Sequence, residues 1–150
     1  MSRAVLLDAG LLGLVTNPRR SAASAACAHW LQELLAAETR VIIPEIADYE
    51  VRRELLRAKK MKGLAQLDAL SGVLEYLPIT TAAMRQAAQF WASARQTGQP
   101  TAGDKTIDSD MILAGQAHTL GVADVVIATT NVGHLSRFVS ADLWRNIKGS

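Results

Sequence analysis

"AVLLDAG", residues 4–10, sets four apolar residues in a row, then an acid, then a small turn-forming pair. An uninterrupted apolar run of this length suits a strand covered on both faces, as in a parallel sheet, rather than one that alternates between core and water. Three more such runs follow: "RVIIP" (40–44), "VLEYLPI" (73–79) and "DVVIATT" (124–130). Between them lie stretches rich in good helix formers. "SAASAACAHWLQELLAAE" (21–38) begins with Ser21 as an N-cap, and "EIADYEVRRELLRAKKM" (45–61) follows the second strand. A helix covers 64–71, Thr80 or Thr81 caps "AAMRQAAQFWASARQ", and "SDMILAGQAHTL" (109–120) ends at Gly121. "LLGLVTNP" adds one or two turns that stop at Pro18, and the tail around 138–147 offers a short edge strand. This alternation predicts an α/β protein: a three-layer α/β/α sandwich with a central, mainly parallel sheet of four or five strands, one domain over 1–150.

Composition narrows the function classes. No apolar run approaches the ~20 residues that span a bilayer. The N-terminal apolar run stops at Asp8, so it does not read as a secretory signal. A lone Cys27 forms no internal disulfide, and the expectation is a cytoplasmic protein. The formal net charge of +2 is too small to argue for nucleic acid by itself. Its distribution says more. Arg52, Arg53, Arg57, Lys59, Lys60 and Lys62 fall in one short stretch offset only by Glu54, which reads as a solvated helix face or as a stripe contacting phosphates.

In open α/β sheets ligands bind beyond the carboxyl ends of the strands. Asp8 stands there after the first strand, and Thr129, Thr130 and Asn131 after the fourth. Asp8 could equally cap the helix that follows. Asp110 shares a helix face with Leu113, Ala114 and Ala117, so a carboxylate heads an inward-facing apolar stripe. A helix N-terminus favours an anion by about 0.3–1 kcal/mol, whereas burying an unpaired charge costs several kcal/mol. A bound cation would close the gap. Asp108 is read as an N-cap or a metal ligand, and Asp104 as a solvated loop residue. Glu50, on the helix after the second strand, is a third acid, with Glu54 its competitor. Carboxylates converging on one edge raise each other's pKa, and oxygen-only donors favour Mg²⁺ or Mn²⁺.

"LLDAG", "PEIADYEVRREL", "DSDMILAGQA" and "IATTNVGHL" occur in the order and spacing of PIN-domain nucleases, and the chain resembles that family, including its VapC-type toxins. The resemblance implies a Mg²⁺- or Mn²⁺-dependent endoribonuclease acting on RNA, inhibited by a cognate antitoxin encoded beside it and often a homodimer. Asp8, Glu50 and Asp110 match its acids, Thr129 and Asn131 its "T-x-N" pair. Asp8, Glu50, Asp108 and Asp110 would hold metal, and Arg52, Arg53 and Lys59 would hold the RNA backbone. Two departures stand out. His134 occupies the place of a fourth acid, and Gly115 stands where the family usually has Ala, a small helix penalty. Two rivals remain: a non-catalytic RNA- or partner-binding module, and an Asp-based phosphotransfer domain, which would need a Lys after the fourth strand or Asp-x-Asp after the first.

Overall fold

The computed structural model describes residues 3–97, 104–133 and 135–149. In chain order these form β1 (Ala4–Leu7), α1 (Ala9–Thr16), α2 (Ala22–Ala36), β2 (Arg40–Pro44), α3 (Glu45–Arg57), α4 (Met61–Val73), β3 (Glu75–Leu77), α5 (Thr81–Gln96), α6 (Asp104–Thr119), β4 (Val125–Thr129) and β5 (Ala141–Leu143). The strands make one five-stranded sheet in the order β3-β2-β1-β4-β5, every neighbouring pair parallel.

Crossovers between parallel strands are right-handed, and this assigns the helices to faces. The chain steps from β1 to β2 to β3 in one direction, then returns past β1 to β4. Its helices therefore change face between β3 and β4. The two cores agree. Val5 and Leu7 pack with Leu11, Leu34 and Leu67 from α1, α2 and α4, while Ala4 and Leu6 pack with Leu113, Ala114 and Ala117 from α6. Successive residues of β1 point to opposite faces, and all four are fully buried. A continuous apolar run is the pattern such a strand requires, and the three-layer α/β architecture follows. The tail is held by Trp30, whose indole N–H donates to the Ile147 carbonyl at 2.8 Å while its ring meets Trp144 edge-on. Among the described residues no helix is long and apolar enough to cross a membrane.

Two boundaries differ from the sequence reading. The helix expected over 45–61 stops at Arg57, and the next one, expected over 64–71, is α4 and already begins at Met61. Lys59 takes a left-handed φ of 55°, and the Lys60 N–H turns back to the Leu55 carbonyl at 2.9 Å, with the Lys59 N–H on Leu56. This is a Schellman end built without glycine, and it divides the basic run between α3, a turn and α4. At the other boundary, α6 begins at Asp104 rather than near Ser109. Asp108 is therefore inside the helix and does not cap it. Asp110 lies beyond the first turn, where the helix dipole has faded.

Candidate functional site

The strand order reverses direction between β1 and β4, so the crevice beyond their carboxyl ends is the topological switch point of the sheet. Asp8 leaves β1 there. One carboxylate oxygen accepts the Leu11 N–H at 2.8 Å, capping α1, and the other accepts the hydroxyl of Thr129 at the end of β4. Burial raises the Asp8 pKa, against the lowering effect of these two donors. Capping and site placement are thus one arrangement. Thr129 is buried, and its oxygen also accepts the Asn131 N–H at 3.0 Å. The Asn131 side-chain oxygen accepts the Gly133 N–H at 3.1 Å, which holds its own loop. Gly10 keeps the approach close: a Cβ there would meet the Thr130 hydroxyl at 3.2 Å.

Glu50 reaches the same place from α3. Burial raises its pKa most, Arg53 opposes this, and the nearby negative charges of Asp110 and Asp8 raise it further, while a Ser109 hydrogen bond lowers it. The three expected acids therefore share one electrostatic neighbourhood. They do not form a finished cage. Among the described residues no group of three His, Cys, Asp or Glu side chains is placed to hold a metal ion. Glu50 leans toward Arg53 at 4.0 Å, and Asp8 is committed to its two donors. The donor chemistry suits a hard divalent ion, and Glu50 would have to turn from Arg53 to complete the set.

Other expected residues lie elsewhere. Asp108 is exposed and lines a groove of about 400 Å³ with Met84, Ala87 and Trp91 of α5. Two positions along a helix are some 200° of rotation, so Asp108 and Asp110 face different ways. Arg52, expected to hold the RNA backbone, is engaged by Asp48 at 3.1 Å and Asp68 at 2.9 Å. Arg53 lies over the Tyr49 ring and, with Glu50, Glu54 and Lys60, lines a groove of about 440 Å³ between α1 and α3. Lys59 is exposed in the turn after α3. Glu54 pairs with Arg57 and does not compete with Glu50. Asp104 opens α6 rather than lying in a loop, and His134 lies outside the described residues.

The sequence reading passed over four residues. Asp48 is buried and takes a 3.0 Å hydrogen bond from the Tyr76 hydroxyl, whose pKa is pushed up to about 12 by burial first and by Asp48 second. Gln116 is buried between α3 and β3, and Ser109 is buried against Glu50. A signal for Asp48 and Arg52 was available in their i,i+4 spacing. Gln116 had none stronger than a polar residue inside an apolar helix.

No protein-family model matches the sequence, and no curated protein does. Solved structures do. The chain is similar to one in VapBC2 from Rickettsia felis bound to a DNA fragment from its promoter (TM-score 0.72, 17% identity, 94% of this chain and 98% of that one). It is also similar to FitAcB from Neisseria gonorrhoeae (0.67, 18%, 95% and 99%) and to DNA-bound VapBC from Salmonella typhimurium (0.66, 21%, 96% and 99%). These likenesses correct the expected assignment to PIN-domain nucleases as a VapC-type toxin ribonuclease. What matches is a chain within whole VapBC and FitAcB assemblies, at identities that carry the fold alone. One fold serves many chemistries. The toxin-ribonuclease assignment is withdrawn, and RNA hydrolysis with it; what stands is a shared α/β fold.

Proposed function

We propose that this chain is one component of a two-protein assembly of the toxin–antitoxin kind, with an acidic edge at Asp8, Glu50 and Asp110 that takes Mg²⁺ or Mn²⁺. The observation that carries the first half is coverage. The fold matches almost the whole of a chain in VapBC and FitAcB complexes, with 98–99% of that chain included. The groove between α1 and α3 supports it: Ala9, Gly13, Val51 and Leu55 give an apolar floor, and Arg53, Glu54 and Lys60 charge the rim. A partner segment with apolar anchors and a charged flank fits such a surface.

The second half rests on the acids gathered at the switch point: burial, and after it the charges of Asp110 and Asp8, raise the Glu50 pKa, and a divalent ion would offset both. Such an ion supplies Lewis acidity, and a hydrolase expectation is carried by this site alone. Asp8 and Glu50 would donate oxygens, with Thr129 steadying Asp8.

Co-expression with the product of the adjoining reading frame, followed by light-scattering mass on a sizing column, tests the assembly. A hetero-oligomer is expected, and its mass also reports whether two copies of this chain pair. A chain that elutes alone, with its groove unprotected in hydrogen exchange, refutes the proposal.

A further inference from the structure

The groove between α1 and α3 has unlike ends. Both helices directly follow neighbouring parallel strands, so they run side by side away from the carboxyl edge of the sheet. Ala9 and Glu50 therefore line the end near that edge, and Pro18 and Lys60 the far end. Between them the floor is apolar and low. A Cβ on Gly13 would meet nothing within 4 Å, and Val51 and Leu55 stand across from it on α3.

The far end carries positive charge that the chain does not offset. Lys59, Lys60 and Lys62 crowd the turn from α3 to α4, Arg19 follows Pro18, and all four are exposed. The acids closest in sequence are engaged elsewhere: Glu54 holds Arg57 at 2.8 Å, and Asp68 holds Arg52 at 2.9 Å. Among the described residues no carboxylate pairs with any of the four cations. On either side of the turn, Leu56 and Met61 are 58% and 70% exposed. A nucleic acid could meet the lysines with its phosphates, yet Glu50 and Glu54 line the same groove and would repel them. Phosphates also gain nothing from an apolar floor. A peptide that is apolar along its length and acidic at one end satisfies both parts of the surface.

We propose that the groove takes an apolar partner segment that lies along α1 and α3 and ends in acidic residues over Lys59, Lys60 and Lys62. The inference rests on the reading of this chain as one component of a two-protein assembly. It adds the occupant's chemistry and which end carries its charge: anchors over Gly13, acids at the α3–α4 turn. Rim charges set association rate and salt dependence and reject wrong partners, so the lysine cluster determines specificity while the floor supplies the anchor.

The test is the Kd of the full chain for the product of the adjoining reading frame, by titration calorimetry at about 0.1 M and about 1 M salt, between which the screening length falls from roughly 10 Å to 3 Å. The variants are the double reversal Lys60→Glu with Lys62→Glu, Gly13→Leu, and the exposed tail control Lys148→Glu. Lys59 keeps its side chain because its left-handed φ would confound a change there. The double reversal is expected to bind roughly tenfold more weakly at the lower salt and to match wild type at the higher. Gly13→Leu, which fills the floor, weakens binding at both, and Lys148→Glu binds as wild type does. Wild-type affinity in either groove variant overturns the proposal, and the double reversal decides alone where Gly13→Leu does not fold. A single-stranded oligonucleotide whose binding the double reversal abolishes, with the partner's affinity unchanged, assigns the lysines to nucleic acid and overturns it too. A wild-type chain that forms no complex with that product instead overturns the assembly reading beneath it.

Discussion

Gly115→Ala is a perturbation whose sign the packing of α5 on α6 determines. On helix propensity alone, replacing a mid-helix glycine by alanine stabilises by about 0.8–1 kcal/mol. At Gly115 a Cβ would stand 2.3 Å from the Ala83 carbonyl oxygen and 3.2 Å from the Ala87 nitrogen. These are backbone atoms of α5, so no side-chain rotation relieves the clash and the helices must separate. Overfilling a packed interior costs about 1–3 kcal/mol, and a contact this short against backbone belongs at the upper end. The net expectation is a loss of about 1–2 kcal/mol. At 2–4 °C per kcal/mol for a chain of this size, Tm falls by roughly 2–8 °C. The control is Gly13→Ala in α1, where a Cβ meets nothing within 4 Å; it should gain up to about 1 kcal/mol. Thermal melts by circular dichroism read both. Gly115→Ala as stable as Gly13→Ala would refute the close approach of α5 to α6.

Because burial raises the pKa of Asp8 and Glu50, the folded state holds these protons to higher pH than the unfolded chain does. Stability contributed by these two groups therefore declines as pH rises from the ordinary carboxylate range near 4 through the raised folded values, and urea melts across pH 4–8 should flatten in Asp8→Asn. The same variant keeps an adequate helix cap, stays within about 0.5 kcal/mol of wild type or above it at pH 7, and loses any rise in Tm on adding Mn²⁺; a Mn²⁺-induced rise equal to wild type's would count against Asp8 as a ligand. Asp48→Ala strands the Tyr76 hydroxyl and one side of Arg52, so a loss of about 2 kcal/mol is expected from denaturant melts, with Asp68 still holding Arg52; an unchanged midpoint would deny the network its role. Lys59→Gly removes a left-handed strain from the turn after α3 and should stabilise by up to about 1 kcal/mol, whereas a destabilised variant would place that turn in another conformation.

The strands were legible because a buried parallel strand has a one-dimensional signature. Residues 4–7 and 41–44 needed only their unbroken apolar character, and both strands appear at the expected positions. Ser21 and Thr80 were legible as caps because a cap is a local bond, and both side chains accept the N–H three residues on. Helix ends set by long-range packing were not. Nothing near Lys59 announces a left-handed turn, since glycine, its usual marker, is missing. The meeting of Asp8 with Thr129 could be inferred from the strand-end rule. The engagement of Arg52 by Asp68 could not, because it depends on how α4 folds back on α3. Gly115 looked like a mild defect in a helix, and only the neighbouring backbone of α5 gives it a reason. The family assignment reached further than the fold, since motif order tracks architecture more closely than it tracks the partner or chemistry of a particular chain.

The most direct measurement is a crystal of the chain grown with millimolar Mn²⁺, with an anomalous difference map computed around the carboxyl ends of β1 and β4. The account predicts one strong peak about 2 Å from carboxylate oxygens of at least two of Asp8, Glu50 and Asp110, with Glu50 turned away from Arg53. A map without a peak there, while Glu50 still leans on Arg53 and Asp8 on Thr129, would contradict it.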